Sequence, residues 1–376
     1  PSGAAGGRNH PALVRLRDAA VAALPVHRQK ALLEADGFLS HPKDYTAIIS
    51  NLGRSSAWLS SVAFFELLRG TNAAPNVAAY SALIGACAAG SESQRALALL
   101  PEMHACKVKP NAVSYTSAIS ACEKASWWSQ ALHLIEGMRC SLLAPNVVTY
   151  SAGVSACSRA ARWVVACALL SAAAKHSAEP NLFAFNAAIS ACERAQQWAV
   201  AISLAENARM ANLAPDVITC SAVLSACSKG SRWQEALMVF DSMNEHKVIP
   251  NVVTLSCVIG AFGKASDWTK ALQLLSEMLR SGPAPDLGAF NAGLKACEEV
   301  TQWRQAAALL GTAREAKFSP KAASFNVTIS ACFKGGAWAQ VTQLLAQMSE
   351  MQLPIDRRAQ SGLVEALARA AQEAPA

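Results

Sequence analysis

Apolar and polar positions along the chain recur in blocks of thirty-five residues, and each block splits into two short amphipathic stretches around a polar turn. The block 252–286 shows the pattern. Asn251 precedes a first helical stretch from Val252 to about Lys264 and suits an N-cap. Ala265, Ser266 and Asp267 make a turn. A second stretch runs from Trp268 to about Arg280, with Trp268, Ala271, Leu272, Leu275 and Met278 on one face at helical spacing. Ser281, Gly282, Pro283 and Pro285 then break it. A hairpin this small cannot bury its apolar stripe alone, so neighbours must stack, and the expected fold is an all-α solenoid of helix–turn–helix repeats.

Two residue series hold the register. Proline stands at Pro75, Pro110, Pro145, Pro180, Pro215, Pro250, Pro285 and Pro320, always thirty-five residues apart. Tryptophan keeps the same beat at Trp58, Trp128, Trp163, Trp198, Trp233, Trp268, Trp303 and Trp338, with Ser93 on the one missing beat and Trp127 off it. With the prolyl residue as position 34, nine repeats run 42–76, 77–111, 112–146, 147–181, 182–216, 217–251, 252–286, 287–321 and 322–356. In the ninth, Pro354 comes one residue early and Ile355 takes position 34. Residues 1–41 are expected to form a degenerate helical cap and 357–376 half of a tenth repeat, because the ends of a solenoid must cover an apolar face. Within residues 1–30, Arg8, Arg15, Arg17, Arg28 and Lys30 against the single acid Asp18 fit such a cap, and equally the edge of an organelle transit peptide.

Composition narrows the chemistry. Of 376 residues, 52% are hydrophobic and 16% charged, with Ala and Leu favouring helix over sheet. A net charge of +7 is compatible with a polyanionic partner. No two of the twelve cysteines form C-x-x-C and the seven histidines lack ligand spacing, so no metal is expected. Cysteines inside helices in this number fit a reducing compartment. No apolar run is long enough to span a membrane. Gly-rich phosphate loops, H-x-E with C-x-x-C, and G-x-S-x-G are all missing, so neither an enzyme nor a bound cofactor is expected.

Recurring positions sort by helical geometry. Position 11 carries Cys87, Cys122, Cys157, Cys192, Cys227, Cys297 and Cys332; sulfurs one repeat apart, roughly 9 Å, are too distant to share a metal, so they read as small core hydrophobes. The tryptophans at position 17, and Met103, Met138, Met243, Met278 and Met348 at position 27, read as core too. Positions 2, 5, 9 and 13 fall within a sector of about 80° on the first helix. Position 5 is always a short polar residue: Thr46, Ser81, Thr116, Ser151, Asn186, Ser221, Ser256, Asn291 and Asn326. Position 9 is Ser or Gly except at Lys295. Position 13 is Arg54, Lys124, Arg159, Arg194, Lys229, Lys264 and Lys334, broken by Ala89 and Glu299. Like charges at one helical position, a repeat apart, can follow an extended phosphate backbone. Position 35 is Asn76, Asn111, Asn146, Asn181, Asp216, Asn251, Asp286, Lys321 and Asp356. Asn and Asp there are default helix caps, but Lys321 cannot cap in that way, so capping is not the only demand on the position.

The motif Val-Val-Thr-Tyr-Ser, the turn Ala-x-x-x-x-Trp, the second-helix Ala-Leu-x-Leu-Leu and the closing Pro-Asn or Pro-Asp resemble the pentatricopeptide repeat of the P-type class. Tyr80, Tyr115, Tyr150, Phe185, Phe290 and Phe325 fill its aromatic place, and the likeness covers 42–356. Its position 17 is usually a smaller aliphatic residue than Trp. The resemblance implies a right-handed α-solenoid superhelix that binds single-stranded RNA, one base per repeat. It implies base reading by positions 5 and 35, sandwiching of the base by position 2 (Val113, Val148, Phe183, Ile218 and Val253) and phosphate contact by position 13. Lys43, Gly288 and Ala323 suit the sandwiching role less. The family's code makes Thr46/Asn76, Ser81/Asn111, Thr116/Asn146, Ser151/Asn181 and Ser221/Asn251 adenine readers. It makes Asn186/Asp216 and Asn326/Asp356 uracil readers, Ser256/Asp286 a guanine reader, and leaves Asn291/Lys321 unassigned. The implied target is 5′-AAAAUAG?U-3′, in a plastid or mitochondrion, with any RNA-processing chemistry supplied by protein partners. The rival expectation is a protein-binding scaffold of the tetratricopeptide kind, whose repeat is one residue shorter and needs no cationic position 13.

Overall fold

The structure, a computed structural model, describes residues 26–35, 42–54, 57–70, 75–176, 178–280, 282–315, 318 and 320–354. The expected half-repeat at 357–376, most of the cap at 1–41, Asp356, and the side chains of Lys43 and Arg54 lie outside the described residues.

Nineteen helices and no strand make up the regular structure among the described residues. The fold is an all-α helical repeat solenoid. Almost every helix has thirteen residues, and the pairs return in the expected register, as in Val252–Lys264 with Trp268–Arg280 and Leu287–Glu299 with Trp303–Glu315. The first helices from Val77 to Leu287 start where an Asn or Asp turns its carboxamide or carboxylate onto the third backbone N–H: Oδ1 of Asn76, Asn146 and Asp286 accepts from Ala79, Thr149 and Ala289 at 2.9, 2.9 and 2.8 Å. From Val77–Ala89 onward each described first helix is followed by a left-handed residue at position 15, with φ of 57° at Ser231, 62° at Ser266 and 58° at Thr301. The N–H of the following residue reaches back to the position 11 carbonyl, at 2.9 Å for both Arg232 to Cys227 and Gln302 to Cys297. Those bonds satisfy carbonyls that the helix end would otherwise orphan.

Contacts group the chain into two compact units, 1–191 and 192–376. In the first, Ile48, Leu52, Phe64, Phe65, Tyr80, Ile84, Met103 and Met138 share one core, with the Phe65 and Tyr80 rings edge to face at 4.9 Å. In the second, Leu255, Ile259, Leu275, Met278, Phe290, Leu310, Phe325 and Met348 do the same. Adjacent first helices meet through small residues in both units. A Cβ on Gly53 would lie 2.8 Å from the Cβ of Ala86, and one on Gly263 would lie 2.8 Å from that of Ala296.

The position 11 cysteines and position 27 methionines are buried as expected. Burial pushes the thiols of Cys87, Cys122, Cys157, Cys227, Cys297 and Cys332 up to about 11, which keeps them protonated and unreactive. The tryptophans differ from expectation. Every one on the beat is half-buried and none is in the core. Each opens a second helix, and Trp58, Trp198 and Trp303 lie where the next repeat's first helix ends. Trp58 lies over Gly90, and Trp198 over Gly230, where a Cβ would come within 2.7 Å of the indole. Arginines of the next repeat cover other faces, with Arg162 at 5.2 Å from the Trp128 ring and Arg232 at 4.7 Å from Trp198. The indoles therefore join neighbouring repeats at the surface.

Candidate nucleic-acid interface

Where it is Asn or Asp and described, position 35 caps the following helix. Its Oδ1 is committed to the helix cap, at 2.9 Å in Asn111 and Asn251, 3.0 Å in Asn181 and 2.8 Å in Asp216. An Asn so oriented keeps its Nδ2 hydrogens as donors, whereas an Asp keeps Oδ2 as an acceptor. Thirty residues earlier in sequence, position 5 of the same repeat comes alongside. Ser81 Oγ is 3.4 Å from Asn111 Oδ1, Ser151 is 3.2 Å from Asn181, Ser221 is 3.4 Å from Asn251, and Ser256 is 3.4 Å from Asp286. Thr116 reaches Asn146 through the Thr149 hydroxyl, at 3.1 and 2.9 Å. Thr46 and Asn186 are half-buried. Asn291 instead accepts from Ser324 Oγ at 2.7 Å. Asn326 Oδ1 is buried with no hydrogen-bond partner among the described residues. Lys321 occupies the cap position and makes no side-chain cap bond.

Position 2 exposes apolar side chains one turn away. Val113, Val148, Phe183, Ile218 and Val253 are between 51% and 63% exposed, which is unusual for residues of this size at one recurring position. Ala78, Gly288 and Ala323 are exposed there too, without that bulk.

At position 13, Lys124, Arg159, Arg194, Lys229 and Lys334 are exposed and Lys264 is half-buried. Several of these cations are tied to the preceding repeat. Lys124 Nζ donates to the Ala89 carbonyl at 3.1 Å, and Lys264 donates to the Ser228 carbonyl at 3.3 Å and Ser231 Oγ at 3.2 Å. Lys229 pairs with Glu193 at 3.0 Å and Lys334 with Glu298 at 3.1 Å. Position 12 was not singled out from sequence, yet it organises this edge. Glu123, Glu193 and Glu298 accept from Ser155, Ser225 and Ser330 of the next repeat at 2.7, 2.6 and 2.7 Å. The signal that would have revealed it is a Glu followed by Ser 32 residues on and by Lys 36 residues on.

Within the second unit these positions enclose a cleft of about 470 Å³, whose lining includes Val253, Ser256, Asp286, Lys229, Lys264 and Lys295. No group of three or more metal-ligating side chains occurs among the described residues, and none of their helices is long and apolar enough to cross a membrane.

Family models match the chain in four stretches. "Pentatricopeptide repeat domain" matches 64–125 and 98–160, "PPR repeat family" matches 215–264, and "PPR repeat" matches 253–283. Pentatricopeptide repeats are therefore recognised over 64–160 and 215–283. Among solved structures, the pentatricopeptide repeat protein PPR10 from maize is 20% identical, with 98% of this chain covering 63% of that one at a TM-score of 0.52. PPR10 in complex with an 18-nt psaJ RNA element is 18% identical, with 96% of this chain covering 57% of that one at a TM-score of 0.63. At such identity the likeness concerns the fold, and this chain spans about three fifths of the length it matches. No curated protein sequence matches the chain significantly.

Proposed function

We propose that this protein is a sequence-specific single-stranded RNA-binding protein that reads one base per repeat and catalyses nothing itself. The observation that carries the reading is the pairing of positions 5 and 35 beside an exposed apolar position 2. A flat base needs an apolar wall on its face and directed polar atoms at its edge, and these three positions supply both. The cap fixes what position 35 offers. The free Nδ2 of Asn suits an acceptor at the base edge, as in adenine N1. The Oδ2 of Asp286, which the cap does not use, suits a ring N–H, as in uracil N3 or guanine N1. The same residue can therefore cap a helix and read a base. Position 13 cations would follow the phosphates. We divide the chain accordingly into nine repeats over 42–356 flanked by caps, and place its work in organellar RNA processing, stabilisation or translation. Protein partners would supply any chemistry on the RNA.

The test is binding of the purified chain to 5′-AAAAUAGNU-3′ and to variants of its fifth base. Asn186→Thr exchanges an amide for a hydroxyl at position 5 of the fifth repeat and should move the fifth-base preference from U to G. Loss of the matched contact should cost about 1–3 kcal/mol, by analogy with base readout in DNA. A uniform affinity change across all four bases would overturn base reading. Binding to proteins and to no RNA would favour the scaffold reading instead.

A further inference from the structure

We propose that the repeat 287–321 reads no base and acts as a phosphate-gripping spacer in the recognition register. This inference rests on the RNA-binding reading above.

Five positions bear on this reading, and three of them, Lys295, Glu299 and Lys321, carry a residue type that no other repeat has there. Position 2 is Gly288, so no side chain stands where Val253 forms a wall one repeat earlier. Position 35 is Lys321, an exposed ammonium at a helix start, where neighbouring repeats place an Asp or Asn bonded to the cap. A lysine offers donors on a flexible stem and no acceptor. Every base presents an acceptor to such a donor, so it selects none. Position 5 is Asn291, whose carbonyl is taken by Ser324 at 2.7 Å rather than directed to position 35.

The remaining two changes move charge. Position 13, cationic in seven repeats, is Glu299 here, and position 9, otherwise Ser or Gly, is Lys295. Four residues of helix separate the two positions, so the cation sits about 6 Å nearer to position 5 than in the other repeats. Lys295 is exposed and has no ion-pair partner among the described residues. It lines the cleft beside Lys264, which is held by a carbonyl and a hydroxyl and so keeps its full charge. The third lysine of the cleft, Lys229, is neutralised by Glu193. Glu299 repels a phosphate from the usual place while Lys295 and Lys321 attract it toward the place where other repeats meet a base. A nucleotide opposite this repeat would be held by its backbone.

Affinities of the purified chain for four RNAs, 5′-AAAAUAGNU-3′ with each base at N, and for the same RNA abasic at N, decide the matter. The expected result is five affinities within about twofold of one another, while changing the seventh base costs about tenfold. Lys295→Ser, at an exposed site, should weaken all five alike and reduce the slope of log affinity against log salt by about 0.7, one single-strand phosphate contact. A tenfold preference at N that Asn291→Ala abolishes overturns the spacer and leaves RNA reading intact. An unchanged salt slope in Lys295→Ser overturns the phosphate grip. Failure of all five RNAs to bind overturns the RNA reading itself, and the spacer with it.

Discussion

The repeats 252–286 and 287–321 are neighbours in one core and share a backbone design, yet their exposed faces carry opposite chemistry. Both bury an apolar seam, through Leu255, Leu275 and Met278 in one and Phe290, Leu294 and Leu310 in the other. Both close their first helix through a left-handed residue, Ser266 and Thr301. The earlier repeat shows a wall at Val253, a paired Ser256 and Asp286, and a cation at Lys264. The later one shows Gly288, Lys321, Lys295 and Glu299 at positions of the same kind. The core seam and the groove face occupy different sides of the first helix, so the groove is free to vary while the seam is not.

The comparison breaks first, and most visibly, in the core. Leu275→Ala and Leu310→Ala each remove a buried leucine from the shared seam, and each should cost about 2–5 kcal/mol by the usual sum of transfer and cavity terms. Thermal unfolding of the two variants checks this; near-neutral behaviour of one alone would show that the two repeats are not equivalently packed.

A smaller effect separates capping from reading. In Asp286→Asn the cap acceptor Oδ1 survives, so stability should change by no more than about 0.5 kcal/mol. The free Oδ2 becomes a donor, and the seventh-base preference should move from guanine to adenine, at about 1–3 kcal/mol for the original base. Unfolding and RNA binding measured on the same sample distinguish the outcomes, and a stability loss with no change of base preference would leave Asp286 a cap alone.

Smallest is a gain. Lys321→Asp supplies the acceptor that Ala322–Lys334 lacks at its start and removes a cation from a helix N-terminus. Stability should rise by about 0.5–2 kcal/mol, measured by denaturant unfolding. If the melting midpoint falls, Lys321 has a structural role that its exposed position does not reveal.

Much of this protein was written in local order along the chain. The thirty-five-residue beat, the two helices per repeat, the Asn or Asp before each first helix and the buried Cys and Met positions all follow from spacing, because helix formation and capping involve residues three or four apart. The odd chemistry of 287–321 was legible as well, since a shared register makes any departure visible. Tertiary structure decided the rest. The tryptophans look like core residues by size and periodicity, yet stacking sets them at the rim over Gly90 and Gly230, beneath arginines of the next repeat. Glu193 meets Ser225 and Lys229 only because adjacent first helices are offset by nearly one repeat. Position 35 reads from sequence as either a cap or a recognition residue. Only tertiary structure shows that the Ser256 hydroxyl and the Ala289 N–H meet the same oxygen of Asp286, Oδ1. Periodicity specifies which face of a helix an atom lies on; the offset between stacked helices determines which atom of another repeat it meets.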